Sequence, residues 1–162
     1  MRQHFSVTCD GATLAATLDD AAGKTALLIV SGGNEIRSGA HAGMAHLAAD
    51  IAAEGHPVLR YDRRGIGDSS GENGGFLSSA PDIAAAVAAL RQHAPQVSRI
   101  VAFGNCDAAS ALALFGPQAG VDALLLANMW TLDTDGDDTN DADAASTMTA
   151  GAIRARYLAK LK

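Results

Sequence analysis

A chain of 162 residues is ordinarily one domain with room for a real core, and a hydrophobic fraction of 48% fits a globular protein. A net charge of -6 argues against a nucleic-acid partner, and Cys9 and Cys106 stand far apart in no metal-ligand spacing, which disfavours a disulfide framework or a zinc site. The start MRQHFSVTCD lacks the apolar centre of a signal peptide and no run of ~18 uncharged apolar residues occurs, so the reading is a soluble, cytoplasmic chain without a membrane span.

Phe5, Val7 and Cys9 alternate with polar residues, Asp10-Gly11 signals a tight turn, and Leu14, Ala16 and Leu18 alternate after it, which predicts an antiparallel hairpin. The continuous apolar run 25–30 suits a strand buried on both faces. It ends in Ser31-Gly32-Gly33-Asn34-Glu35, and after Gly39 a helix follows with Met44, Leu47 and Ile51 as its apolar stripe; Gly55 ends it and Pro57 opens the next strand. Residues 58–61 are that short strand, and Asp62-Arg63-Arg64-Gly65-Ile66-Gly67-Asp68-Ser69 is a charged, glycine-rich loop. Ser79-Ala80-Pro81-Asp82 predicts a capping box for a helix carrying Ile83, Val87 and Leu90 on one face.

In RIVAFGNCDAASALALF, residues 99–115, an apolar run is stopped by Gly104, Cys106 stands two residues later, and an Ala/Leu-rich helical run begins at once. That is a strand, a very tight turn and a helix, a variant of the GxSxG nucleophile elbow with cysteine for serine and Ala108 for the last glycine. Such turns hold the nucleophile in strained backbone, and the helix N-terminus favours a thiolate. The bland alternative is a buried structural cysteine. Residues 123–127 predict a further buried strand.

Beyond Trp130, the segment 131–143 holds six aspartates and reads as an acidic loop. Asp133, Asp135 and Asp137 around Gly136 do not follow the EF-hand spacing, so no metal is assigned. Residues 149–162 predict an amphipathic helix with Ile153, Tyr157 and Leu161 on one side. The domain reading is a core over 1–130, an acidic loop over 131–148, and a helix over 149–162 that begins a lid region. Strands alternating with helices predict an α/β chain, a mainly parallel doubly wound sheet with helices on both faces and an antiparallel start. The glycine-rich loops after Val30, Tyr61 and Phe103 would then gather at one sheet edge, where ligands bind in such folds.

The runs GGNEIRSGAHAGMAHLA, HPVLRYDRRGIGDSSGE and GNCDAASAL, with Asn128-Met129-Trp130 and RARYLAKL, resemble the α/β-hydrolases that accompany exosortase A systems, specifically their first hydrolase type. The resemblance runs from Leu27 to Leu161, and DRRGIGDS and GNCDAAS are its most specific parts. It implies an α/β-hydrolase fold and acyl or ester hydrolysis in a polysaccharide-export setting. Two positions depart from the pattern: Ala108 where glycine is usual, and Ala42 after His41 where arginine is commoner.

A thiolate attacking a carbonyl needs donors for the developing oxyanion. Elbow geometry supplies the backbone N–H of Asp107, and the loop after the first central strand offers Gly33 and Asn34, while His41 on that loop lines the pocket. Asp107 itself suits the helix N-terminus electrostatically, and Asp62, Arg63 and Asp68 are read as holding their loop by side-chain hydrogen bonds. The substrate class is a small acyl compound, and no cofactor is called for. In this fold the triad runs nucleophile, acid, histidine, and no histidine follows His93. His4, His46, His56 and His93 read as surface or core positions.

Three readings stand at this point: a C-terminally truncated cysteine hydrolase with impaired activity; a noncatalytic or partner-completed relative that pairs through an exposed sheet edge; and a nucleotide binder, which lacks both a P-loop run and a full dinucleotide fingerprint. A His41 and Cys106 dyad is a further option for the first.

Overall fold

The alternating apolar residues at the N-terminus pair as expected. Strand β1 (Arg2–Cys9) runs antiparallel to β2 (Ala12–Asp19), and the turn between them places Asp10 at φ 45° and Gly11 at φ 77°. Both turn residues in left-handed backbone give the twist a two-residue hairpin needs. This computed structural model describes residues 1–129; the acidic loop, the aspartate trio at 133–137 and the helix expected over 149–162 lie outside the described residues.

β3 (Thr25–Val30) lies parallel to β4 (Val58–Tyr61) on one side and to β5 (Arg99–Asn105) on the other, and β6 (Ala123–Ala127) is parallel to β5. With β2 antiparallel to β4, the sheet order is β1-β2-β4-β3-β5-β6. The chain winds outward from β3 in both directions. The carboxyl ends of β3 and β5 therefore flank a switch point where successive loops diverge and leave a crevice.

Period-two alternation assigns the two faces of the sheet. Ala26, Leu28 and Val30 of β3, with Leu59, Tyr61, Ile100 and Ala102, form one buried cluster with Ile83, Ala86, Val87 and Leu90 of α2 (Ala80–His93) and Ala108, Ala111 and Leu112 of α3 (Asp107–Phe115). Leu27, Ile29 and Val58 face the other way onto Ala48 of α1 (Gly43–Ala53). The expected doubly wound α/β sheet with helices on both faces and an antiparallel start is thus the observed one.

Three local expectations are corrected. Met44, Ala48 and Ile51 face the sheet from α1, whereas Leu47 is 39% exposed, because the helix turns a narrower stripe inward than the apolar residues alone suggest. Ser79 stands before α2 without a side-chain capping bond, and Asp82 does not reach back to it. Asp82 is instead buried and accepts from the Arg64 amide at 3.0 Å and the Arg64 guanidinium at 2.9 Å. Arg64 offers Asp82 three donors, its amide, Nε and Nη2, where a local cap would offer a single backbone N–H. Strand β6, expected to be buried, leaves Leu125 54% and Leu126 39% exposed, because it is the last strand of the sheet among the described residues. No helix among the described residues is long and apolar enough to cross a membrane.

Candidate active site

β5 ends at Asn105, and the chain enters α3 through Cys106 at φ 60° and ψ -131°, a backbone region that residues with a Cβ rarely occupy. Neighbours hold it there. The Cys106 amide donates to the carbonyl of Ala127 on β6 at 3.0 Å, and the Cys106 carbonyl accepts from Ala109 at 3.1 Å. Gly104 permits the bend by close approach: a Cβ there would lie 2.8 Å from the Ala108 carbonyl carbon and oxygen. Ala108 can replace the motif's last glycine because its methyl fills the core cluster under α3 and is fully buried.

The thiol of Cys106 is exposed, so the structural-cysteine alternative belongs to Cys9 and not to it. Cys9 is buried, donates to Asp82 Oδ1 at 3.4 Å and accepts from Arg64 Nη2 at 3.2 Å. Burial first, and Asp82 second, push the Cys9 thiol above its ordinary value, which keeps it protonated and inert.

Strain at Cys106 has a measurable consequence. A left-handed residue of this kind costs about 1–3 kcal/mol, partly offset in glycine by backbone entropy of about 0.5–1 kcal/mol. Cys106→Gly is therefore expected to raise the unfolding free energy by about 1 kcal/mol, read as a higher urea midpoint. Cys106→Val should lower it, and a destabilised glycine variant would contradict a strained elbow.

Three loops converge on this turn. The loop after β3 approaches so closely that a Cβ on Gly32 would lie 2.4 Å from the Asn105 carbonyl oxygen, 3.0 Å from Asp107 Oδ1 and 3.3 Å from Cys106 Cβ. The loop after β4 ties the other two together. Asp62, with no exposed surface, accepts from the Arg37 amide, the Arg37 guanidinium and the Asp68 amide. Arg63 reaches Asp107 Oδ2 with both terminal nitrogens at 3.3 Å and also donates to the Gly33 carbonyl. Arg37 continues the network to Asp68 at 2.9 Å and to Thr17 at 3.2 Å. Buried charges of this kind must be paired, and here each one is.

Among the residues singled out from sequence, the structure brings Cys106, Asp107 and Gly33 together. The Gly33 amide donates to Asp107 Oδ1 at 2.6 Å, so in this structure it serves a carboxylate. Asn34 is exposed beside it, its side-chain oxygen accepting from Asn73 at 3.3 Å. His41 lies in the single 3-10 turn Ala40–Ala42, exposed and at φ 51°, and no hydrogen bond among the described residues joins it to Cys106. His4 and His56 bond to Thr17 Oγ1 and the Thr25 carbonyl, and His93 stacks on Phe5 with ring centroids 3.9 Å apart. Gly32, Arg37 and the Arg63 link to Asp107 do not stand out as site features in the sequence. Two glycines flanking the switch point and two arginines in polar loops were the available signals. No group of acidic, histidine or cysteine residues that could hold a metal occurs among the described residues.

This arrangement of sheet, switch point and cysteine elbow has the α/β-hydrolase fold. No protein-family model matches the chain, and no curated protein matches it in sequence. Solved structures do match it. GrgF, an α/β-hydrolase from Penicillium sp. sh18, is similar with a TM-score of 0.67 and 26% identity over 78% of this chain and 45% of its own. The esterase Pf2001 of Pyrococcus furiosus gives 0.61 at 22% identity, over 68% of this chain and 45% of its own. A serine hydrolase without a lid from Xanthomonas campestris gives 0.63 at 14% identity, over 77% and 60%. The chain therefore spans less than half the length of the first two.

Proposed function

We propose that this protein is a hydrolase acting on an acyl ester or thioester through Cys106. The observation that carries this is an exposed thiol held at φ 60° on the turn from β5 into α3. Hydrolase and esterase neighbours in structure support the reaction class. The thiolate attacks the substrate carbonyl, a carbon–sulfur bond forms, and the carbonyl electron pair moves to oxygen. The donors for that oxyanion are the backbone N–H groups of Asp107 and Asn34, since the Gly33 amide is already bonded to the Asp107 carboxylate. Collapse expels the alkoxide or thiolate and leaves a thioester on Cys106, which water then hydrolyses. His41, exposed on the loop after β3, is the side chain assigned to the substrate side of the site.

Within these 162 residues no histidine follows His93, so acylation is expected to outrun deacylation. The resemblance of residues 27–161 to the exosortase A-associated hydrolases implies a role linked to polysaccharide export, and two unpaired cysteines suit a reducing compartment.

Iodoacetamide at neutral pH is expected to alkylate Cys106 roughly tenfold or more faster than Cys9, as burial and accessibility dictate. Peptide mapping of the labelled sites over time measures both rates. Equal, slow labelling would refute an accessible reactive thiol.

A further inference from the structure

Both ends of Gly33 are held by one ion pair. Its amide donates to Asp107 Oδ1 at 2.6 Å, and its carbonyl accepts from Arg63 Nη2, which also bonds Asp107 Oδ2 at 3.3 Å. Asp107 and Arg63 are 6% and 4% exposed, so the ion pair that holds the exposed Gly33 is itself shielded from water. The amides of Asn34 and Asp107, by contrast, have no protein partner among the described residues.

Resting on Cys106 being the nucleophile proposed above, we infer that Asp107 and Arg63 are positioning residues that select the oxyanion donors. The Asp107 carboxylate engages the Gly33 amide, and the fixed Gly33-Asn34 segment presents the Asn34 amide, together with that of Asp107, to the substrate oxygen above Sγ. Two requirements are met by the same pair. Donors stabilise an oxyanion well only if preorganised, and a loop lacking a tether would have to be ordered at the moment of reaction. A carboxylate this close to a developing negative charge would also oppose it, and the Arg63 guanidinium cancels that repulsion.

A trifluoromethyl ketone separates this role from a merely structural one. Cys106 adds to its carbonyl, the carbon–sulfur bond forming as the π pair moves to oxygen, and nothing leaves, so affinity reads the oxyanion donors. Iodoacetamide alkylation, which displaces iodide at an sp³ carbon, does not use them. In Asp107→Ala, ketone affinity is expected to fall roughly thirtyfold or more while the Cys106 alkylation rate stays within about threefold. Asp107→Asn keeps an oxygen for the Gly33 amide and should recover ketone affinity to within about threefold of the unmodified chain. Asp107→Ala with unchanged ketone affinity, or Asp107→Asn as weak as alanine, overturns the assignment. If the alanine variant does not fold, Arg63→Lys replaces it: loss of the fork should weaken the ketone about fivefold with alkylation preserved, and no weakening counts against the clamp. An unmodified chain that neither binds the ketone nor alkylates at Cys106 refutes the nucleophile itself, a result distinct from failure of the clamp.

Discussion

Asp62→Ala is expected to lower the unfolding free energy by about 3–5 kcal/mol, a large share of the ~5–15 kcal/mol typical of a folded domain. The Asp62 side chain is fully buried and receives three donors, the Arg37 amide, the Arg37 guanidinium and the Asp68 amide at 3.0 Å. Alanine leaves both amides and Arg37 Nη1 without this acceptor, the guanidinium keeping Asp68 and Thr17, and the Arg37 side chain is only 20% exposed, so water replaces the carboxylate poorly. The backbone of residue 62 would still be anchored, its amide to Ala15 and its carbonyl to Ser69 Oγ. The loss therefore falls on the link between the loop after β3 and the loop after β4. Chemical denaturation measures it; a change below about 1 kcal/mol would mean that the network contributes no more than a surface pair. Asp62→Asn, which retains one acceptor oxygen but turns an amino group toward a donor, should fall between the two.

Gly32→Ala is the second large effect, and it acts on chemistry as much as on stability. Its new methyl would sit 2.4 Å from the Asn105 carbonyl oxygen, a backbone atom at the end of β5 that cannot swing aside. Overpacking of this kind costs about 1–3 kcal/mol or more. Relief requires the loop after β3 to retreat from the elbow, which draws its amides away from the oxygen above Cys106, and acylation is expected to slow by roughly 10²-fold or more. Gly33→Ala makes the comparison: a methyl there meets nothing within 4 Å and the strain comes only from φ 53°, about 1 kcal/mol of stability. Acetyl-transfer rates and melting curves of the two variants separate close approach from backbone conformation. A Gly32→Ala chain with both properties intact would contradict the observed loop packing.

Much of this site can be read along the chain, because strands β3, β4 and β5 are mainly apolar segments and each leads into a glycine-bearing loop. Period-two burial then fixes which residues face α1 and which face α2 and α3. The elbow is legible for a similar reason: Gly104 and Ala108 flank Cys106 at the spacing that lets a helix pack back on its own strand. What is not legible is pairing across loops. Gly33 and Asp107 are 74 residues apart, and Arg64 and Asp82 are 18 apart, so no local pattern announces either contact. Asp82 shows the failure most clearly. Its position three residues after Ser79 matches a capping box, yet the deciding partner is an arginine on another loop. In sequence, Asp62 and Arg63 read as holding their own loop by side-chain hydrogen bonds, but the side chains of 62–64 also reach three different elements: Asp62 the loop after β3, Arg63 the elbow, Arg64 α2.

The most direct measurement is intact-mass and peptide-mapping analysis of the 162-residue chain during reaction with p-nitrophenyl acetate. One acetyl group should accumulate on Cys106, with a burst of one equivalent of nitrophenolate followed by slow turnover, and Cys106→Ala should show neither. Acetylation spread over lysines, with Cys106 unmodified and no burst, would contradict a nucleophilic cysteine on this turn.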